Sequence, residues 1–372
     1  MRFSHVLAAS VVITTPVFSA NDNARDDSRA ATYCLYEIDQ LPGFTAGETS
    51  VEVAGINEHE QVTGWISTAD GSPFHAFLWD RKNGIRDLGA VPGHTSMSAA
   101  AINDVGTVVG GATDFETGES LAFAWTARRG LRSLDTSLGE VNSFATAINR
   151  SGQIAGASAT AIGAIHAFFR DVDGTVLDLG AFPGGRGFSN ATAMNDRGQV
   201  VGTRTDGDRA DAFVWDGRRG MQSLTPRGGA SLVLSPSGIN NRGEIVGAVL
   251  ADGLQRAFRW THGEGMQVLG TLSGVDTDLA TAQAINDAGT IVGGSQTASG
   301  EFHGFVWNAR GGIRDLNELI DRRSPRAVQP VLGTAMGVNE EGAIAVSGVV
   351  PDDESQRGYL MVPSKNRHEP CH

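Results

Sequence analysis

Apolar and polar positions alternate along this chain in short runs, and the same sequence of runs returns about every 46 residues. Each unit opens on small apolar residues, as in Ala99-Ala100-Ala101-Ile102, and passes through Asn, two variable residues and Gly. A Val-Val-Gly type run follows, then a small residue, an aromatic, any residue and Trp, as in Ala122-Phe123-Ala124-Trp125. The unit ends on a short run such as Gly130-Leu131-Arg132-Ser133-Leu134. Phe123 and Trp125 fall on one side of a period-two pattern and Ala122 and Ala124 on the other, as a strand requires. Asn can bond its own backbone just ahead and Gly accepts positive φ, so Asn-x-x-Gly predicts a tight turn joining two strands. Each unit thus predicts four strands.

The key Asn recurs at Asn57, Asn103, Asn149, Asn195, Asn240, Asn286 and Asn339. The spacing is 45 or 46 residues except for a final step of 53. A repeat of this length with four strands matches a propeller blade. The small residues of the first run suit strands crowding a common axis, and the repeated Phe and Trp suit packing between adjacent blades. The seventh unit lacks a fourth strand, while Tyr33 to Leu41 forms a strand-like run with no unit before it. Together they complete an all-β, seven-bladed β-propeller, its ring closed by the N-terminal strand joining the last, C-terminal blade.

That closure brings Cys34 close to Cys371, and the two cysteines of the chain are expected to form a disulfide. Residues 1–20 read as a signal peptide, with Arg2 ahead of an apolar centre from Val6 to Val17 and small residues at its end. Residues 21–32 read as a flexible leader and residues 33–372 as the propeller. No later apolar run approaches the length of a membrane span. The expectation is an exported protein, periplasmic or extracellular, and monomeric.

The phrases Ile102-Asn103-Asp104-Val105-Gly106-Thr107-Val108-Val109-Gly110 and His75-Ala76-Phe77-Leu78-Trp79 resemble the repeats of the HAF family of bacterial extracellular repeat proteins. The resemblance covers nearly all of residues 33–363. The His of that signature stands only at His75, His166 and His303. The resemblance implies bacterial export and a repeat-built β fold; it implies no activity.

Composition narrows the functional classes. The net charge of -13 disfavours nucleic acid and anionic membranes. His59-Glu60-Gln61-Val62-Thr63 falls one residue short of a zinc helix, and Asp171-Val172-Asp173-Gly174 lacks the later ligands of a calcium loop. No cofactor is expected. The reused residues build the scaffold, so function is sought where the units differ. The connections between units share one rim with those between second and third strands, such as residues 113–119. They supply the candidate partner-binding residues His94, Arg186, Phe188, Arg322, Arg323 and Arg326, the last three in an insertion spanning residues 317–333. The leading expectation is a non-catalytic scaffold binding a protein or glycan partner there. The alternatives are a propeller enzyme acting on glycans, a hydrolase or lyase using Asp114, Glu116, Asp206 and Asp208, and a structural surface or matrix component.

Overall fold

In a computed structural model of the 372-residue chain, the described residues are 32–38, 41, 49–68, 73–136, 138, 142–181, 187–206, 209–224, 233–251, 253–321, 323–324, 329–351, 355–364 and 371. The signal-peptide reading and most of the leader fall outside them. Thr32 lies within, and its carbonyl accepts a hydrogen bond from the Ser364 backbone.

The strands form seven four-stranded antiparallel sheets. Six are continuous in sequence: residues 49–87, 96–133, 143–180, 188–223, 233–268 and 280–315. The seventh is completed as the sequence predicts. Tyr33–Glu37 pairs with Gln356–Pro363 in the register Tyr33 to Pro363 and Glu37 to Tyr359, outside Ile344–Val349 and Val331–Val338. We number the blades one to seven in that order. The Cys34–Cys371 disulfide is present, with Cα atoms 5.4 Å apart.

The repeated residues explain the blade. The third-strand aromatics Phe77, Phe123, Phe168, Phe213, Phe258, Phe305 and Tyr359 are essentially inaccessible to solvent. In blades one to six the pairing of inner and second strands slips by one residue at one common place, for example between Ala99 and Ala101. This bulge bends the inner strand beside the axis. The second-strand glycine lies opposite it. A Cβ on Gly110 would overlap the carbonyl oxygen of Ser98 and stand 2.9 Å from the Phe123 ring, so only Gly lets the ring lie flat on the sheet. In blade seven, where Val346 replaces that Gly, the inner strand slips twice and Gly348 sits beneath Tyr359 instead. Pro236 is tolerated in blade five because it stands at the bulge.

The insertion between blades six and seven runs differently from the expected rim loop. Leu316–Leu319 forms a 3-10 turn, and Leu316 and Leu319 enter the core with Tyr33 and Leu35. Ile320 then bridges to Tyr33, the Asp321 backbone donates to the Tyr33 carbonyl, and the Ser324 hydroxyl accepts from the Leu35 backbone. This described part of the insertion covers the outer edge of the closing strand. An edge strand otherwise presents unpaired backbone groups.

Candidate functional site

The Asn turns all lie at one end of the central channel, here called the lower face. Within each turn the Asn does what its sequence pattern promises: the Asn103 side chain accepts from the Thr107 backbone, and Gly106 takes φ +75°. The same side chain also works between blades. The Asn57 amide donates to the carbonyl of Asn103, Asn103 to Asn149, Asn149 to Asn195, Asn195 to Asn240, Asn240 to Asn286, Asn286 to Asn339, and Asn339 back to Asn57. This seven-membered cycle seals every blade junction, and each Asn in it is buried.

A second cycle runs beside it. The residue after each Asn is Glu58, Asp104, Arg150, Asp196, Asn241, Asp287 or Glu340. Each acidic or amide member accepts a hydrogen bond from the matching backbone N–H of the preceding blade. Arg150 has no acceptor to offer and instead donates its Nε to Asp104 at 2.8 Å. These side chains border a cavity of about 160 Å³ at the channel mouth, and small residues such as Ala54, Ala100 and Gly238 line about 270 Å³ deeper in the channel. Burial pushes the Glu58 carboxyl up. The backbone N–H of Glu340 opposes this, while the nearby Asp104 and Glu340 charges reinforce it. Glu340 is raised by burial in the same way. The hydrogen bond to Asp104 raises Arg150. Among the described residues no group of three His, Cys, Asp or Glu is placed to hold a metal ion.

The recurrent histidines are blade fasteners. His75, His166 and His303 place Nδ1 at 3.1, 2.9 and 2.6 Å from the carboxylates of Asp87, Asp178 and Asp315, twelve residues further on in the outer strand. Units lacking the His also lack this Asp: the corresponding residues are Leu121 and Ser133, Asp211 and Ser223, whose hydroxyl donates to Asp211, and Arg256 and Val268. Across the closure Arg357 pairs with Glu37 at 2.7 Å in the equivalent place. A cleft of about 610 Å³ between blades one and two is bordered by Trp125, but the Arg86 guanidinium stands 5.0 Å over that ring and the indole is 3% exposed. The Trp125 face is thus a core surface rather than a sugar platform.

The opposite, upper face carries the connections between blades and those between second and third strands. They are knitted together: the Met97 backbone donates to Phe74, Asn142 to Ser120 and Ser273 to Gln296. His94 lies here with its Nδ1 3.4 Å from the Pro92 carbonyl, close enough to Asp114 for its charge to help lower that carboxyl. Hydrogen bonds from the Glu116 backbone and the Thr117 hydroxyl are the main causes of that lowering. Asp114 is therefore occupied in shaping its own turn. Phe188 is 54% exposed at the start of the blade-four inner strand. Arg323 is on the edge-covering insertion, held by Asp321 at 2.5 Å. Arg186, Arg322, Arg326 and Asp208 lie outside the described residues. Glu116 is in blade two and Asp206 in blade four.

The upper face also gathers what the sequence reading did not single out. Among the described residues, every large apolar side chain that stands exposed is on it, except Val105, Val172 and Leu177. Phe115, Phe144, Leu250, Val275 and Phe302 join Phe188 there. The Phe74 and Phe115 rings meet edge to face at 5.8 Å.

No protein-family model and no curated protein sequence matches the chain. Among solved structures it is similar to a puromycin-hydrolysing peptidase of Mycobacterium tuberculosis, with TM-score 0.58 and 11% identity over 88% of this chain and 53% of that one. A prolyl endopeptidase structure gives TM-score 0.53 and 9% identity over 90% and 51%. TolB from Acinetobacter baumannii gives TM-score 0.43 and 13% identity over 86% and 80%. The chain spans about half the length of the two peptidases. At such identities the likeness shows the fold alone, and the chain is a seven-bladed β-propeller of four-stranded blades.

Proposed function

We propose that this chain is an exported, non-catalytic scaffold that binds a protein partner on the upper face. The observation that supports this reading is the gathering of exposed apolar side chains on that face, whereas the side chains at the lower mouth are largely engaged in bonds from blade to blade. Exposed apolar patches of this kind mark interaction surfaces. A protein partner fits better than a glycan, because exposed aliphatic side chains such as Leu250 and Val275 share the face with the exposed rings. Export is supported by the disulfide, which persists in oxidising compartments. The HAF resemblance points the same way.

The test compares three forms of the protein as bait in its source cell envelope and culture fluid. One is wild type, one carries Phe115→Ser, Phe188→Ser and Val275→Ser, and one carries Arg218→Ser and Arg219→Ser on the lower face. A partner retained by wild type and the lower-face form but lost by the upper-face form supports the reading. A partner lost only by the lower-face form overturns it, as does turnover of a polysaccharide by the wild-type protein.

A further inference from the structure

The two faces of the propeller differ in charge as well as in apolar exposure. On the lower face, the turns into the outer strands carry Arg81-Lys82, Arg128-Arg129 and Arg218-Arg219. The same turn in blade three carries Asp171 and Asp173 and in blade five Glu264, so the lower face is of mixed charge around its acidic mouth. The upper face carries Asp114, Glu116, Glu119, Asp276, Asp278 and Glu301 in its connections. Two arginines on that side are matched within the fold, Arg204 to Asp211 at 2.7 Å and Arg357 to Glu37 at 2.7 Å. Arg256 turns its Nε to the Asp276 carbonyl. Among the described residues, Glu301 stands 3.8 Å from His303 and Asp114 lies near His94, while Glu116, Glu119, Asp276 and Asp278 make no described ion pair, so the exposed rings and aliphatic side chains share this face with acidic groups. The acids of the 113–120 connection include the sequence neighbours of Phe115, and Asp276 and Asp278 lie between Val275 and Leu279 in their loop.

Resting on the upper-face reading above, we infer that the partner presents a cationic amphipathic segment, with apolar side chains for the rings and lysines or arginines for the surrounding carboxylates. Opposite charge on a partner steers encounter and rejects acidic competitors. Burial of phenyl and branched aliphatic groups supplies affinity. Another copy of this chain fits poorly. Its lower face offers Val105 and Val172 as exposed large apolar side chains among the described residues, too little to cover the rings opposite. Its upper face would bring like charges together.

The probe is a 20-residue peptide of leucine and lysine with helical amphipathic spacing, set against the same peptide with glutamate for lysine and against oligolysine. Binding to the full protein is read by fluorescence anisotropy, and the footprint by amide hydrogen exchange. The Leu/Lys peptide should bind at least tenfold tighter than both others at 50 mM salt, with protection on the upper-face connections. Glu116→Gln, Glu119→Gln, Asp276→Asn and Asp278→Asn together should weaken it at least tenfold, a difference that shrinks at 500 mM salt. The Phe115, Phe188 and Val275 serine form should weaken it at both salts, and the Arg218 and Arg219 form should leave it unchanged. Equal upper-face binding of the Leu/Glu peptide overturns the cationic inference and leaves the upper-face reading standing. Protection confined to the lower face, or concentration-dependent self-association that blocks the peptide, overturns both.

Discussion

Replacing Asn195 by Ala tests whether the Asn cycle holds the ring together or merely shapes seven separate turns. The buried Asn195 side chain makes four hydrogen bonds. Its oxygen accepts from the backbones of Arg197 at 3.1 Å and Gln199 at 3.0 Å. Its amide donates to the Gln199 side chain at 2.8 Å and, across the blade junction, to the Asn240 carbonyl at 2.9 Å. At about 1 kcal/mol net for each bond, the loss should be about 3–4 kcal/mol. Asn195→Asp separates the two roles. It keeps both acceptor bonds but sets a carboxylate against the Asn240 carbonyl and the Gln199 amide oxygen, so it should be at least as damaging as Ala. If Asn195 only shaped its turn, Asp would be nearly as good as Asn, since both favour such turns. The measurement is urea unfolding followed by tryptophan fluorescence and circular dichroism, with coincident curves required before a free energy is taken. Exposed Gln222→Ala serves as the control and should stay within about 0.5 kcal/mol. An Asp variant as stable as wild type, or an Ala variant within about 1 kcal/mol of it, would refute the inter-blade role.

Three further outcomes follow from the geometry. Gly110→Ala forces a methyl into the Ser98 carbonyl and the Phe123 ring and should cost about 3 kcal/mol or more, read as a lower urea midpoint with unchanged slope. Glu60→Gly should stabilise the chain by about 0.5–1 kcal/mol: Glu60 holds φ +57° where six units have Gly, and relief of about 1–2 kcal/mol outweighs its ion pair with Arg81, worth about 0.2–1 kcal/mol. A lower melting temperature in that variant counts against the strain argument. The Asp321 carboxyl is lowered to about 2 by its hydrogen bond from Arg323, from an ordinary 3.8. Its folded form is the more acidic, so its stabilisation is complete above about pH 3.8 and is lost as pH falls toward 2. The stability gap between wild type and Asp321→Asn should therefore narrow over that window, and a gap independent of pH would exclude the ion pair as its source.

The blade was legible because its causes are local. Asn-x-x-Gly, the second-strand Gly and the alternating Phe and Trp each fix a turn, a flat-lying ring or a buried face within one unit. The disulfide was legible because unit counting leaves a lone strand beside Cys34 and an incomplete blade before Cys371. The donor half of each Asn was not, since its acceptor lies a whole repeat away. Its companion signal stood in the sequence unread: six of the seven residues after the key Asn carry an acceptor, with Arg150 the exception. The pairing of His with an Asp twelve residues on was equally open to inspection. The path of the insertion was not legible, because Leu316, Leu319 and Ile320 carry its start along the edge of the closing strand through contacts with Tyr33 and Leu35 that lie far away in sequence. Exposed apolar side chains on loop faces leave no periodic trace, so the concentration on the upper face needed coordinates.

The closure also sets an order of events in time. Tyr33–Glu37 leaves the ribosome before any blade, yet its partner Gln356–Pro363 is among the last described segments to appear. Six blades can form from contacts close in sequence, while the seventh must wait for contacts more than 300 residues apart, as the 337-residue separation of its cysteines records. Such distant pairing is slow to find. Until it is found, Cys34 remains a thiol, and Gln356–Pro363 offers the ladder positions that Tyr33–Glu37 will occupy. The chain therefore stays an open arc until Gln356–Pro363 has emerged, and only then can the ring close.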